Sequence, residues 1–177
     1  GTDIRFYRVL DQSNRGDLFT LLRALQALHT NWVEAGQPPL VINMSLGVHP
    51  PPESEDAQEL NTLEALLNDF YEAGAVIVAA SGNDSAQSYR DNGNTLTPSP
   101  MQKPAAYPVV IGVGASNQLN EYACFSNAGD ILAPGGDNGE VEGEQCMSVV
   151  ASCEDDPSKC LIGYVYTPDN EHYAYWT

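Results

Sequence analysis

The chain has 177 residues, 42% of them hydrophobic, which suits one domain with a proper core and excludes a disordered tail. Its 24 acidic residues outnumber 7 basic ones, and the net charge of −17 argues against nucleic acid or an anionic membrane as a partner, because phosphates would be repelled. No apolar segment is long enough to span a bilayer.

The chain is predicted to open with a strand, a polar turn and a long helix. Residues 4–10 are mostly apolar and predict the strand. Leucines then recur at helical spacing from Leu18 as far as Trp32, which predicts a helix with one apolar face. Gly36 is a typical residue to end it.

Two further strands and a second helix follow. The apolar run 40–44 predicts the second strand, and Ser54 is a candidate N-cap for a helix that Gly74 ends. Residues 75–80 predict a third strand, buried on both faces because no polar residue interrupts the run. The alternation of strands and helices predicts an α/β protein with a doubly wound, mostly parallel sheet and flanking helices.

The second half of the chain is more irregular. Residues 85–104 form a long polar loop, and loops of that length are usually functional. Residues 109–114 and 131–133 predict two more strands, and residues 164–166 and 173–176 predict the arms of a hairpin.

The four cysteines lie in this second half and leave their pairing open. Cys153 and Cys160 bracket a polar loop that a disulfide can close, and Cys124 and Cys146 are a second candidate pair. No C-x-x-C spacing occurs, so a zinc ribbon is not predicted.

The stretch after the third strand carries the candidate catalytic group. Asn83 follows Ser81 and Gly82 at the carboxyl end of that strand, where open α/β sheets bind ligands. A side-chain amide there can donate a hydrogen bond to developing oxygen charge, although Asn also commonly serves only to cap a turn.

Several stretches, in order, resemble the subtilisin-like serine proteases. They are residues 41–47, 79–84, 107–108, 125–126 and 133–135. The resemblance implies a subtilisin-like fold that is incomplete at both ends, with a loop-rich and β-rich insertion near the C-terminus.

The resemblance also implies that the chain is one partial peptidase domain made of three parts. Residues 1–135 match the family core, residues 136–170 are an insertion, and residues 171–177 lead toward the nucleophile segment. The Asp, His and Ser of the catalytic triad are expected outside this chain, so the chain alone is expected to be inactive. The resemblance implies a secreted serine endopeptidase that needs no cofactor for its chemistry.

The resemblance implies roles for particular residues in binding an extended polypeptide substrate. Asn83 matches the oxyanion-hole asparagine, and two segments match the strand edges that hold the substrate by backbone hydrogen bonds. The peptide bond between Tyr107 and Pro108 matches a position that is cis. The implied substrate-binding edges are Asn14, Arg15, Gly16, Ser45, Leu46 and Gly47. The implied first specificity pocket contains Ala79, Ala80, Ser81 and Gly82, with Asp84 at its rim. A more distant apolar pocket is implied at Leu18 and Leu21.

Calcium is the one cofactor that the sequence leaves open, in a structural role. The acidic loop 137–144 and Asp130 offer oxygen ligands, but their spacing does not fit an EF-hand and no ligand set is identifiable. The candidate protein partners are the remainder of the protease domain or a propeptide.

Two other classes of function stay open at this point. The first is a non-catalytic peptide-binding domain of subtilase ancestry, which intact triad residues in flanking sequence would exclude. The second is an unrelated doubly wound domain that binds a small anion near residues 81–83, although no glycine-rich phosphate motif supports it.

Overall fold

The computed structural model describes residues 2–48, 57–85, 97–117, 120–135, 161–163, 165–168 and 173–176. The predicted N-cap Ser54, the acidic loop 137–144, and the cysteines Cys146, Cys153 and Cys160 lie outside the described residues. Within the described ranges, the elements in chain order are β1 Arg15–Gly16, α1 Leu18–Glu34, β2 Val41–Met44, β3 Leu46–Val48, α2 Ala57–Glu72, β4 Val76–Ala80, β5 Ile111–Ser116, β6 Ile131–Pro134, β7 Leu161–Gly163, β8 Val165–Pro168 and β9 Tyr173–Trp176.

Helix α1 begins and ends where its sequence contains capping residues. The Asp17 carboxylate accepts a hydrogen bond from the backbone N–H of Thr20 at 2.7 Å, which satisfies one of the free donors of the first turn. After the helix, Gly36 takes a φ of 79°, and Gly74 takes a φ of 94° after α2. Both glycines therefore end their helices as predicted, because this left-handed conformation favours glycine.

The main sheet is parallel and has the strand order β2-β4-β5-β6. Met44 pairs with Ala79, Ala80 with Val113, and Val113 with Ile131. The prediction of a mostly parallel sheet with flanking helices is confirmed. Strand β5 begins two residues later than predicted, because residues 107–110 form a turn before it.

Only one face of this sheet is covered within the described part of the chain. Ile42 and Ile77 point into the core formed with the two helices and are 7% and 1% exposed. Val41 and Val76, on the opposite face, are 68% and 46% exposed. The prediction that the third strand is buried on both faces is therefore wrong for Val76, since α1 and α2 both pack on the other side of the sheet.

The predicted strand at residues 4–10 does not form. The structure assigns no strand there, and Phe6 is 92% exposed. An apolar pattern makes a strand only when a neighbouring strand accepts its hydrogen bonds, and no described strand pairs with this segment. The apolar pattern alone predicts a strand, but it does not show whether another strand is present to pair with it.

Two smaller antiparallel sheets complete the described structure. One has the order β1-β7-β3, so that β7 lies between two strands that do not pair with each other. The other is the hairpin of β8 and β9, in which Val165 pairs with Trp176 and Pro168 with Tyr173. The predicted hairpin is confirmed, with Pro168 in a strand.

Among the described residues, the cis peptide bond lies elsewhere than expected. It joins Lys103 to Pro104, and the bond between Tyr107 and Pro108 is not cis. The two X-Pro bonds lie four residues apart in one segment, and the sequence motif pointed to the wrong one.

Tyr107 anchors this segment to α2 and should make stability depend on pH in the alkaline range. Its hydroxyl donates to the Leu60 carbonyl oxygen at 2.8 Å, and burial, assisted by the Glu64 carboxylate, raises the pKa of Tyr107 to about 12. The folded state favours the neutral phenol, so this stabilisation is complete below the ordinary pKa of about 10 and is lost as the pH rises toward about 12.

At neutral pH, Tyr107→Phe should lower the unfolding free energy by about 1 kcal/mol, because the hydrogen bond to Leu60 is lost. Between pH 10 and about 12, the unfolding free energy of this variant should fall less steeply than that of the unaltered protein. Urea unfolding across this range measures both effects. Tyr71→Phe is the control, because Tyr71 is 55% exposed. Equal slopes for the Tyr107 variant and the unaltered protein would contradict the prediction.

Candidate active site

The candidate site lies at the carboxyl edge of the main sheet. Met44 and Ala79 are paired near the ends of β2 and β4, so Ser45 and residues 81–83 leave the sheet at neighbouring positions of the same edge. Asn83 is half-buried, and its side chain forms no hydrogen bond with any described residue. Its amide is therefore free to donate to a ligand at this edge.

The loop that carries Asn83 is held by Asn127, a residue that the sequence analysis did not identify. The Asn127 side chain is fully buried at 0% exposure. Its Nδ2 donates to the Asp84 carboxylate at 2.8 Å and to the carbonyl oxygen of Pro100 at 3.0 Å. Its Oδ1 accepts from the backbone N–H of Asp84 at 2.8 Å and from the Ser85 hydroxyl at 3.3 Å.

The backbone of Asn127 holds the other side of the same loop. Its N–H donates to the Gly82 carbonyl oxygen at 3.0 Å, and its carbonyl oxygen accepts from the Ser81 hydroxyl at 3.2 Å. Asn83 is thus flanked on both sides by residues bonded to Asn127. We call this set of bonds, from Asn127 to residues 81, 82, 84 and 85, the Asn127 brace.

Gly82 is required at its position for two independent reasons. Its φ is 113°, and an added Cβ would lie 2.5 Å from Nδ2 of Asn127 and 3.1 Å from Cγ of Gln102. We expect Gly82→Ala to lower the unfolding free energy by roughly 3 kcal/mol, because backbone strain and a clash in the Asn127 brace act together.

Gly36→Ala is the matched control for this prediction. Gly36 also has a positive φ, of 79°, but nothing lies within 4 Å of its added Cβ. Gly36→Ala should therefore lower the unfolding free energy only through backbone strain, by on the order of 1–2 kcal/mol. Urea unfolding compares the two variants, and equal losses would show that the clash with Asn127 has no effect.

Asp84 is part of the brace. Its carboxylate accepts from Nε2 of Gln102 at 2.6 Å as well as from Asn127. A preference for basic substrates at this rim stays a prediction.

The structure places the two predicted substrate edges on either side of one strand. Arg15 and Gly16 form β1, with Asn14 directly before it at a φ of 56°, and Leu46 and Gly47 lie in β3 after the exposed Ser45. Strand β7 separates the two edges. The remaining predicted residues lie either at the sheet edge or in the core: Ala79, Ser81 and Gly82 are buried, Ala80 is half-buried, and Leu18 and Leu21 pack in the main hydrophobic cluster.

The described residues contain no group of three or more His, Cys, Asp or Glu side chains that could hold a metal ion. Asp130 has a structural role, since its carboxylate accepts from the backbone N–H of Gly112 at 2.8 Å. A calcium site in the acidic loop 137–144 stays a prediction. Cys124 is disulfide-bonded, and every other cysteine lies outside the described residues, so the predicted pairings stay predictions.

Comparison with known proteins agrees with a mostly parallel sheet and flanking helices. The fold is that of α/β proteases, and the model of the Subtilase family matches residues 1–174. The chain belongs to the subtilase family, which excludes the alternative of an unrelated anion-binding domain.

Among individual proteins, the chain is similar to the minor extracellular protease Epr of Bacillus subtilis, with 37% identity over 131 residues. It is 33% identical over 131 residues to a subtilisin from Bacillus pumilus. Each match covers 72% of this chain but only 16% and 40% of the respective relative. The chain therefore spans less than half the length of these curated relatives.

Solved structures give the same fold. A lanthipeptide protease superimposes with a TM-score of 0.57 at 25% identity, covering 76% of this chain and 38% of that one. The nisin leader peptidase NisP from Lactococcus lactis gives a TM-score of 0.56 at 22% identity, covering 96% and 49%. In the described part of the chain, no helix combines the length and apolarity needed to cross a membrane.

Proposed function

We propose that this chain is the central part of a serine endopeptidase domain and that Asn83 supplies its side-chain oxyanion donor. The observation that carries the proposal is the position of Asn83, whose amide has no bond to a described residue while the Asn127 brace fixes its neighbours. A donor held in advance at the point of developing charge stabilises a transition state without reorganising during the reaction.

In the proposed reaction, the serine, histidine and aspartate come from outside this chain. The serine oxygen attacks the peptide carbonyl carbon while the histidine takes its proton and the aspartate orients the histidine. The carbonyl oxygen becomes the oxyanion that Nδ2 of Asn83 contacts. The histidine returns the proton to the leaving amine, and water then hydrolyses the acyl-enzyme.

Substrate binding is proposed to use the edges of β1 and β3. A peptide laid between two strand edges exchanges backbone hydrogen bonds with both, so its sequence is selected only by side-chain pockets. The small residues Ala79, Ala80 and Gly82 leave room for a large side chain in the first pocket. Leu18 and Leu21, although they pack in the core, are the proposed floor of the more distant pocket.

We also propose that the protein is secreted. The disulfide at Cys124 supports an oxidising compartment, and the relative Epr is itself described as extracellular. No cofactor takes part in the proposed chemistry. Structural calcium at the loop 137–144 is a secondary proposal, tested by whether a calcium chelator lowers Tm.

A fluorophosphonate serine probe tests the main proposal on the longer protein that carries this chain. We expect the probe mass on a peptide outside residues 1–177. A label inside these residues would contradict the placement of the nucleophile. Folded protein that takes up no label would contradict the proposed peptidase activity and favour the non-catalytic peptide-binding domain, which would use the edges of β1 and β3 without a triad.

A further inference from the structure

We infer that β7 is a tethered peptide ligand, a segment of the chain's own sequence that occupies the substrate groove and competes with external peptides. Leu161–Gly163 lies between β1 and β3 and runs antiparallel to both. The inference rests on the proposed function for the nature of the groove, and it adds an internal occupant of that groove.

The register shows that β7 pairs with both edges at once. Ile162 lies opposite Arg15 on one side and Gly47 on the other. Leu161 lies opposite Gly16 and Val48 in the same way. Since neighbouring strands lie about 4.8 Å apart, β1 and β3 are separated by roughly 10 Å, a gap that holds one strand.

This geometry makes β7 and an external substrate mutually exclusive. β1 and β3 do not pair with each other, so both edges turn their hydrogen-bonding groups toward the same gap. An extended peptide gains its main affinity from those groups, whatever its sequence. A peptide can therefore bind between the edges only when β7 has left.

The covalent connection favours the internal segment. β7 belongs to the same chain as β1 and β3, so its pairing with them is intramolecular and does not depend on protein concentration. Intramolecular binding of this kind has an effective concentration on the order of millimolar, so an external peptide needs a higher concentration or a higher affinity than β7 to displace it. Occupancy of the groove by β7 should raise KM for peptides and leave kcat unchanged.

The test replaces Ile162 in the longer protein. Ile162→Pro removes a backbone donor from the middle strand, whereas Ile162→Val, the control, keeps it. If β7 fills the groove about nine-tenths of the time, Ile162→Pro should lower KM for an extended peptidyl anilide about tenfold at constant kcat. Ile162→Val should keep the KM of the unaltered protein. An unchanged KM in the proline variant would overturn the inference.

Hydrogen exchange separates this inference from the proposed function, because it needs no activity. The proline variant should lose amide protection in peptides covering β1 and β3, while protection in β4 stays unchanged. That result supports the inference even when the fluorophosphonate labels nothing. Labelling together with unchanged protection in β1 and β3 would overturn the inference and leave the proposed function standing.

A disulfide test covers the case in which the proline variant does not fold. Residues directly opposite in an antiparallel pair have Cα atoms about 4.5–5.5 Å apart, within disulfide range. Arg15→Cys combined with Ile162→Cys should therefore form a bond that blocks peptide hydrolysis until a reductant is added. Mapping by mass spectrometry that finds no such bond would overturn the inference.

Discussion

Replacing Asn83 with alanine in the longer protein is expected to lower kcat about 10²–10³-fold, a magnitude established for the oxyanion asparagine of subtilisin itself and not obtained from this structure. KM should change little, because the amide bonds the oxygen most strongly when it carries negative charge. Steady-state hydrolysis of a peptidyl anilide measures both constants.

The same variant should fold as well as the unaltered protein. The Asn83 side chain makes no hydrogen bond with a described residue, so its truncation leaves none of the described groups unsatisfied. We expect an unfolding free energy within about 0.5 kcal/mol of the original. Loss of activity at constant stability would distinguish an oxyanion donor from a turn cap, whose removal costs stability.

Two further variants sharpen the assignment. Asn83→Asp keeps the shape but replaces the donor with a carboxylate, which repels the oxyanion, so kcat should fall at least as far as in the alanine variant. Asn61→Ala makes the same truncation at an exposed site on α2 and should leave kcat unchanged. A kcat for Asn83→Ala within threefold of the original would contradict the assignment.

The regular elements could be predicted because their signals are local. The apolar spacing of α1, the glycines at both helix ends and the apolar runs of β2 and β4 each lie within one short window. The failures have non-local causes. Residues 4–10 have an apolar pattern but no described partner strand, and burial of both faces of β4 would require a layer that the described residues do not contain.

The candidate site was predictable only where the sequence motif includes the residue itself. Asn83 follows a buried strand, and that position alone suggests a ligand. Asn127 directly follows the family-like residues 125–126, but the local sequence does not show its bonds, because its partners Ser81, Asp84 and Pro100 are 46, 43 and 27 positions away. Pairing of β7 with β1 and β3, the two proposed substrate edges, could not be predicted either, since a sequence of three residues does not show which strands it pairs with.

The second large effect is expected from removing the side-chain bonds of the Asn127 brace. Asn127→Ala deletes the donors to Asp84 and Pro100 and the acceptor for the Asp84 N–H in a fully buried position. Each buried group left without a partner costs about 1–3 kcal/mol, so we expect an overall loss of roughly 3–5 kcal/mol in urea unfolding. Asn61→Ala, at its exposed site, should stay within about 0.5 kcal/mol.

The brace should also matter for catalysis, through the position of Asn83 rather than through contact with substrate. Under conditions where Asn127→Ala is still folded, kcat should fall about tenfold or more, because small misplacements of a reacting partner are costly. Asn127→Ala and Asn83→Ala combined should then lose little more than Asn83→Ala alone, since a donor that is absent has no position to lose. Full additivity of the two losses would show that Asn127 acts independently of Asn83.

Asn127→Asp separates the acceptor half of the brace from the donor half. The aspartate keeps an acceptor for the Asp84 N–H but places a second carboxylate where Nδ2 contacts the Asp84 carboxylate at 2.8 Å. Two carboxylates at that distance repel each other, and one of them should then bind a proton more readily than usual. We expect this variant to regain stability relative to the unaltered protein as the pH falls from 7 toward about 4. A constant difference in urea midpoint over that range would show that the Asn127 amide does not bond Asp84 in solution.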